Sequence, residues 1–206
     1  MTLSDLERRI IDISYKHKAS HLGSCLTAVQ LIDNIYKIKK PEDVFILSSG
    51  HAALALYVVL EKIYKFDAEK LFIKHGTHPN RDEEDKIYCS TGSLGSGLPI
   101  GVGMAMADPS RDVYIITSDG ELAEGSCWEA LRVAGERRLE NLKILVNANG
   151  NGAYGKIDID LLDTRLQMFF PSLIVNTNVF KYPDYLQGVD GHYKVLNESE
   201  YKEITE

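Results

Sequence analysis

Apolar residues at Leu3, Leu6, Ile10, Ile11 and Ile13 recur at helical spacing and predict a helix over 3–18, with Ser4 or Thr2 as its N-cap. A second helix is predicted from Leu26 to Tyr36. Pro41-Glu42-Asp43 then breaks the pattern, and the apolar run Val44-Phe45-Ile46-Leu47 reads as a short buried strand leading into the turn Ser48-Ser49-Gly50-His51. A helix follows from about Ala53 to Tyr64. The stretch from Lys74 to Tyr88, rich in His, Gly, Pro, Asn and charge, reads as a long loop of the kind that often carries function, with His75 as a solvated loop residue. Gly95 to Ala107 is an apolar helical run threaded with Gly97, Gly101 and Gly103, small residues that permit close approach of another helix or a ligand. Val113-Tyr114-Ile115-Ile116 and Ile144-Leu145-Val146 are strands, with a helical pattern from Trp128 to Arg138 between them, which together make a βαβ unit. Beyond Gly155 the periodic signal fades, and no repeat, low-complexity tract or linker divides the chain.

A length of 206 residues with 44% hydrophobic content suffices for one substantial core, so residues 1–206 are expected to form a single domain. The net charge of -7 argues against nucleic acid as a partner, because a phosphate backbone demands a basic face. No run approaches the eighteen apolar residues of a membrane span, and the charged, amphipathic N-terminus does not resemble a signal peptide, so a cytoplasmic protein without membrane attachment is expected. Cys25, Cys89 and Cys127 are odd in number and lack CxxC spacing, which suggests reduced structural thiols.

The two strands of the βαβ unit end in Ser118-Asp119-Gly120 and in Asn147-Ala148-Asn149-Gly150-Asn151, bringing Asp119 and Asn149 to one edge of the sheet. Carboxyl ends of parallel strands are where open α/β sheets bind ligands. Asp119 and Asn149 offer the hard oxygens that Mg²⁺ prefers, and Mg²⁺ commonly completes its octahedron with water and ligand phosphate, so the pattern implies a metal-assisted phosphate site. The structural alternative is that Asp119 caps the following helix and Asn149 makes a turn.

Four segments carry a family resemblance, in the family's order, across roughly residues 15 to 155. The run Ser118-Asp119-Gly120-Glu121-Leu122-Ala123-Glu124-Gly125, with Asn149 thirty positions after Asp119, resembles the thiamine diphosphate motif of transketolases, which normally begins Gly-Asp-Gly. Ser20-His21-Leu22-Gly23 resembles their Gly-His-Pro-Gly, Ser48-Ser49-Gly50-His51-Ala52-Ala53 their Ser-Lys-Gly-His-Ala-Ala, and Thr91-Gly92-Ser93-Leu94-Gly95-Ser96-Gly97-Leu98 their Thr-Gly-Ser-Leu-Gly-Gln-Gly-Leu. Further on, Val189-Asp190-Gly191-His192 resembles a later Val-Asp-Gly-His. The family's fold is α/β, a doubly wound, mostly parallel sheet flanked by helices.

The resemblance implies thiamine diphosphate and Mg²⁺ as cofactors, with Asp119, Asn149 and the Asn151 carbonyl as metal ligands. It places His51 against the diphosphate, Gly92, Leu94 and Gly120 along the cofactor, and His21 and His78 in the substrate channel. Glu124 matches a glutamate at the family's subunit contact; the plain alternative is a solvated residue favoured in a helix's first turn. For the histidines, the plain alternative is structural hydrogen bonding. Ser118 departs from the family glycine, and its Cβ is a source of crowding at the diphosphate.

The resemblance covers the diphosphate-binding domain and not the pyrimidine-binding domain, which in this family holds a glutamate needed to activate the cofactor. A separate pyrimidine-binding subunit is therefore expected to complete the site in a hetero-oligomer, a heterotetramer or larger, acting on sugars or sugar phosphates by two-carbon ketol transfer. Three alternatives stand beside this. His21-Leu22-Gly23 is closer to the His-Leu-Gly of 1-deoxyxylulose 5-phosphate synthases; Ser118 and the missing domain fit a relic that serves as an interaction protein; and Asp119 alone fits an unrelated Mg²⁺-dependent phosphohydrolase.

Overall fold

A computed structural model describes residues 3–152, 155–177 and 181–206. Its centre is a parallel sheet in the order β1-β2-β3-β6, formed by Val44–Leu47, Val113–Ser118, Leu142–Ala148 and Ile174–Thr177. A short antiparallel pair, β4 (Asn151–Gly152) and β5 (Gly155–Lys156), lies beyond the end of β3.

Side chains of a strand alternate between faces, and here both faces are covered. Phe45, Leu47, Tyr114 and Ile116 pack into one core with α1 (Asp5–His17), α2 (Leu22–Ile38) and α3 (Ala53–Tyr64). Val44, Ile46, Val113, Ile115, Ile144 and Val146 join a second core with α5 (Gly97–Ala107), α6 (Gly125–Arg137) and α7 (Ile159–Phe169). This is the expected α/β sheet with helices on both sides. Among the described residues, no helix is long and apolar enough to cross a membrane.

The first helix begins where the pattern predicts. Ser4 caps it in a capping box, accepting from the Glu7 amide while the Glu7 carboxylate accepts from Ser4 N at 2.7 Å. Thr2, the other cap candidate, lies outside the described residues. α2 starts four residues earlier than its periodicity suggests, because His21 takes a left-handed conformation at φ 64 and turns the chain directly into the helix.

The stretch read as a loop from Lys74 is partly helical. α4 (Ala68–His75), capped by Asp67, takes in Lys74 and His75. His75 is not a solvated loop residue: its side chain is 5% exposed, 2.8 Å from an Asp85 carboxylate oxygen. After β6 come α8 (Gly188–His192) and α9 (Glu198–Thr205), elements too short to show in the periodicity. The three cysteines are free and buried, as expected of structural thiols.

Candidate functional site

The strand ends β1, β2 and β3 open onto one cavity of about 320 Å³. Its floor is the Asp119 turn. Asp119 is 2% exposed, and its two carboxylate oxygens accept three backbone amides: Gly120 N at 3.0 Å, Asn149 N at 3.0 Å and Gly150 N at 2.7 Å. It therefore ties the end of β2 to the end of β3 and does not cap α6, whose N-cap is Glu124. Burial pushes the Asp119 carboxyl upward, against these amides. Asn149 Oδ1 accepts from Asn151 N at 2.9 Å, so both asparagines sit in one tight turn at the cavity wall.

Ser118 occupies the strand end and lines the cavity. Its Oγ accepts from Glu121 N at 3.1 Å, closing the turn locally.

The opposite wall carries histidines. His21 and His51 ring centroids lie 5.5 Å apart and His21 and His78 5.9 Å apart, and all three line the cavity. His192 joins them, 4.3 Å from His21 and 5.2 Å from His51, while its carbonyl accepts from His21 N at 2.9 Å. Burial lowers His21 to about 4 and His51 to about 3, with the neighbouring imidazoles adding to the fall, and His192 is lowered in the same way. These three are neutral at pH 7. Ser20 Oγ lies 2.7 Å from His21 Nδ1, which leaves Nε2 as the free ring nitrogen.

Gly92 and Leu94 line the cavity on a glycine-rich loop. Gly92 has φ 130, and a Cβ there would stand 2.8 Å from the His78 side chain, so its own chain already requires glycine. In α5, Cβ atoms would meet Ser48 Oγ at 2.6 Å from Gly97 and Ile115 Cδ1 at 2.3 Å from Gly101, which makes these two packing glycines against the sheet. Gly103 faces open space.

Of the residues singled out from sequence, His21, His51, His78, Gly92, Leu94, Asp119, Gly120, Asn149 and Asn151 converge on the cavity, and Glu124 does not. Half-buried, Glu124 packs its Cβ and Cγ over Gly95 on the far side of the loop. Sequence reasoning does not find two further residues of the site. His192 has a motif but no task attached to it, and Glu121, fully buried beside Asp119, is one acid among several in the run that follows β2.

Behind the Asp119 turn runs a second groove, lined by Trp128, Arg165 and Phe169 among others. Trp128 Nε1 donates to Leu122 O at 2.8 Å, and its ring meets Phe169 edge-on at 5.3 Å. Among the described residues, His75, Asp82 and Asp85 form the one acidic and imidazole cluster tight enough to hold a metal, but Lys74 Nζ sits 2.7 Å from both aspartates and already supplies the cation.

A buried carboxylate with no cationic partner among the described residues, an asparagine oxygen and a turn carbonyl at one sheet edge form a donor set of the kind Mg²⁺ takes with a diphosphate. The comparisons with known proteins bear on the diphosphate part of this reading. The family described as transketolase, thiamine diphosphate binding domain, matches residues 9–172. The chain belongs to the transketolase family through this domain. One of the subunits of the apulose-4-phosphate transketolase of Phocaeicola vulgatus is 33% identical over 162 residues, covering 69% of this chain and 57% of that protein. The 1-deoxy-D-xylulose-5-phosphate synthase of Fusobacterium nucleatum is 31% identical over 150 residues, covering 70% of this chain and 24% of that protein. The chain thus spans less than two thirds of these curated relatives. A transketolase variant from Pichia stipitis shares the fold, with a TM-score of 0.77 at 21% identity, covering 97% of this chain and 39% of that one.

Proposed function

We propose that residues 1–206 form the diphosphate-binding domain and N-terminal subunit of a cytoplasmic, thiamine diphosphate- and Mg²⁺-dependent transketolase, completed by a second chain with a pyrimidine-binding domain. The observation that carries this is the convergence of the Asp119–Asn149–Asn151 edge and the His21, His51, His78 and His192 wall on one cavity.

Asp119, Asn149 and the Asn151 carbonyl would hold Mg²⁺ and through it the diphosphate; His51 would donate to a phosphate oxygen; Gly92, Leu94 and Gly120 would lie along the cofactor. The bound cofactor supplies the carbanion chemistry that breaks a carbon–carbon bond next to a carbonyl. The donor ketose would lose the proton of its C3 hydroxyl as its C2–C3 bond breaks, leaving a shortened aldose, and its C1–C2 ketol unit would pass to the carbonyl carbon of the acceptor. An equivalent proton reaches the acceptor's carbonyl oxygen as the new bond forms. His21, His78 and His192 would accept and return that proton, and the burial that favours the neutral form of His21 and His192 suits the accepting half. The naming of the Phocaeicola relative as one subunit of its enzyme supports a separate partner, and its phosphorylated substrate supports a sugar phosphate here. Glu124, away from the cavity, is free to serve at a subunit contact, in a heterotetramer.

The test is native purification of the tagged chain with its companions, followed by ketose transfer on the recovered pair and calorimetry with thiamine diphosphate and Mg²⁺. Full transfer by the purified chain alone, or no cofactor binding by the pair, overturns the proposal. A second reading, pyruvate-dependent synthesis of 1-deoxyxylulose 5-phosphate, is favoured by His21-Leu22-Gly23 and the Fusobacterium relative. Release of carbon dioxide from pyruvate distinguishes it.

A further inference from the structure

Glu121 belongs to none of the roles above, yet it is 0% exposed and sits where the ends of β1 and β2 meet the glycine-rich loop at the cavity. Its Oε1 accepts from Ser48 Oγ at 2.8 Å, at the end of β1, and from Gly95 N at 2.9 Å, in the glycine-rich loop. Its Oε2 accepts from Thr117 Oγ1 at 2.7 Å, on β2. Among the described residues, no lysine or arginine neutralises it; the donors are two hydroxyls and backbone amides. A buried carboxylate is costly unless its oxygens are well satisfied, so a natural chain keeps one where the geometry it imposes matters.

Gly95 shows what is imposed. It adopts φ 81, donates its amide to Glu121, and accepts at its carbonyl from Ser126 Oγ at 2.8 Å. A Cβ at this position would stand 2.4 Å from Ser126 Oγ and 2.7 Å from Glu124 Cβ. Both polar groups of a single backbone residue are thus held by the segment that follows Asp119. The loop bearing Gly92 and Leu94 and the turn bearing Asp119 are separate in sequence but mechanically one body.

We infer that Glu121 is the positioning residue that locks the 92–97 loop to the Asp119 turn, fixing the two walls of the cavity at their working separation before any ligand arrives. The inference rests on the function proposed above for what the cavity takes. The hold itself depends only on this chain. Preorganisation of this kind raises affinity by removing the ordering cost from the binding step.

Reach and charge can be separated at this position. E121D keeps the charge and shortens the arm by one methylene, so that it no longer spans to Gly95; E121Q keeps the arm and removes the charge. Thr117 Oγ1 can turn to accept from the glutamine amide, whereas Gly95 N keeps its oxygen. In the free chain, exchange of the Gly95 amide is expected to accelerate about tenfold or more in E121D and to stay within about twofold in E121Q. Calorimetric affinity of the full complex for thiamine diphosphate with Mg²⁺ is expected to fall about tenfold in E121D, about 1.4 kcal/mol, and to hold in E121Q. Ile10→Val, a truncation in the core of α1, reports what lost stability alone does to both readouts and is expected to move neither selectively.

Loss in E121Q with retention in E121D overturns the inference, as does equal loss in both, or Gly95 exchange that ignores both changes. If E121D does not fold, the E121Q arm still decides, because a tenfold loss there is incompatible with a role through reach. Wild-type protein that binds no thiamine diphosphate defeats the proposed function, while the exchange measurement continues to judge Glu121 on its own.

Discussion

At the residue scale, the site combines buried carboxyls with buried and half-buried imidazoles. Asp119 satisfies three backbone amides, and Asp119→Ala orphans them; a loss of about 1–3 kcal/mol in chemical denaturation is expected, together with loss of Mg²⁺-dependent cofactor binding. The histidines make a pH prediction with a definite sign. His21 and His51 lie below the ordinary 6.5, at about 4 and about 3, so the unfolded chain binds their protons first. Their contribution to stability is whole above pH 6.5 and is lost as the pH falls toward 4 and then 3. Imidazole NMR titration of the free chain checks this: His21 and His51 are expected to resist protonation at pH 6. Asp119 and Asn149 were legible in the sequence because each closes an apolar strand of one βαβ unit, which fixes their side of the sheet. Glu121 was not, because a carboxylate in a motif full of acids carries no sign that it will be buried.

At the element scale, the strands and most helices announce themselves by period, and the exceptions have physical reasons. α4 is eight residues long, too short for its apolar stripe to repeat, and is fixed by the Asp67 cap and by packing on α3. β6 pairs with β3 yet leaves Ile174 58% exposed, so it lacks the buried run that marks the inner strands. The proximity of His192 to His21 comes from docking α8 against the start of α2, a contact between segments distant in sequence. Helix α5 shows how one residue type divides by context. Gly101→Ala drives a methyl into Ile115 and is expected to cost about 1–3 kcal/mol, whereas Gly103→Ala meets nothing and is expected to stabilise by about 0.5–1 kcal/mol. Urea denaturation of the two variants separates them.

At the scale of the whole molecule, one buried carboxylate is among the groups that fasten the beginning of the chain to its later part. Glu7 closes the cap of α1, accepts from Tyr182 Oη, and lies 3.0 Å from Lys181 Nζ. Burial pushes its carboxyl up, but the bonds from Tyr182, Ser4 and Lys181 outweigh this and hold it at about 2, below the ordinary 4.5. The stability it contributes is therefore present above pH 4.5 and lost as the pH falls toward 2. Glu7→Gln is expected to be less stable at pH 7 and to lose less on acidification, read as thermal midpoints across that range. This fastening keeps α8, and with it His192, beside the N-terminal helices. Only the Ser4 cap was legible from sequence; the contacts to Tyr182 and Lys181 were not, since the signal fades after Gly155 and the partners are far apart along the chain.

Trp128 has a consequence of a different kind. It is the only tryptophan in the chain, its indole anchored to the Leu122 carbonyl within the turn that follows Asp119. The protein thus carries a native fluorophore wired to the floor of its cavity. An ion or ligand that draws on Asp119 is expected to shift that emission, so occupancy of the free chain can be followed in real time without a label.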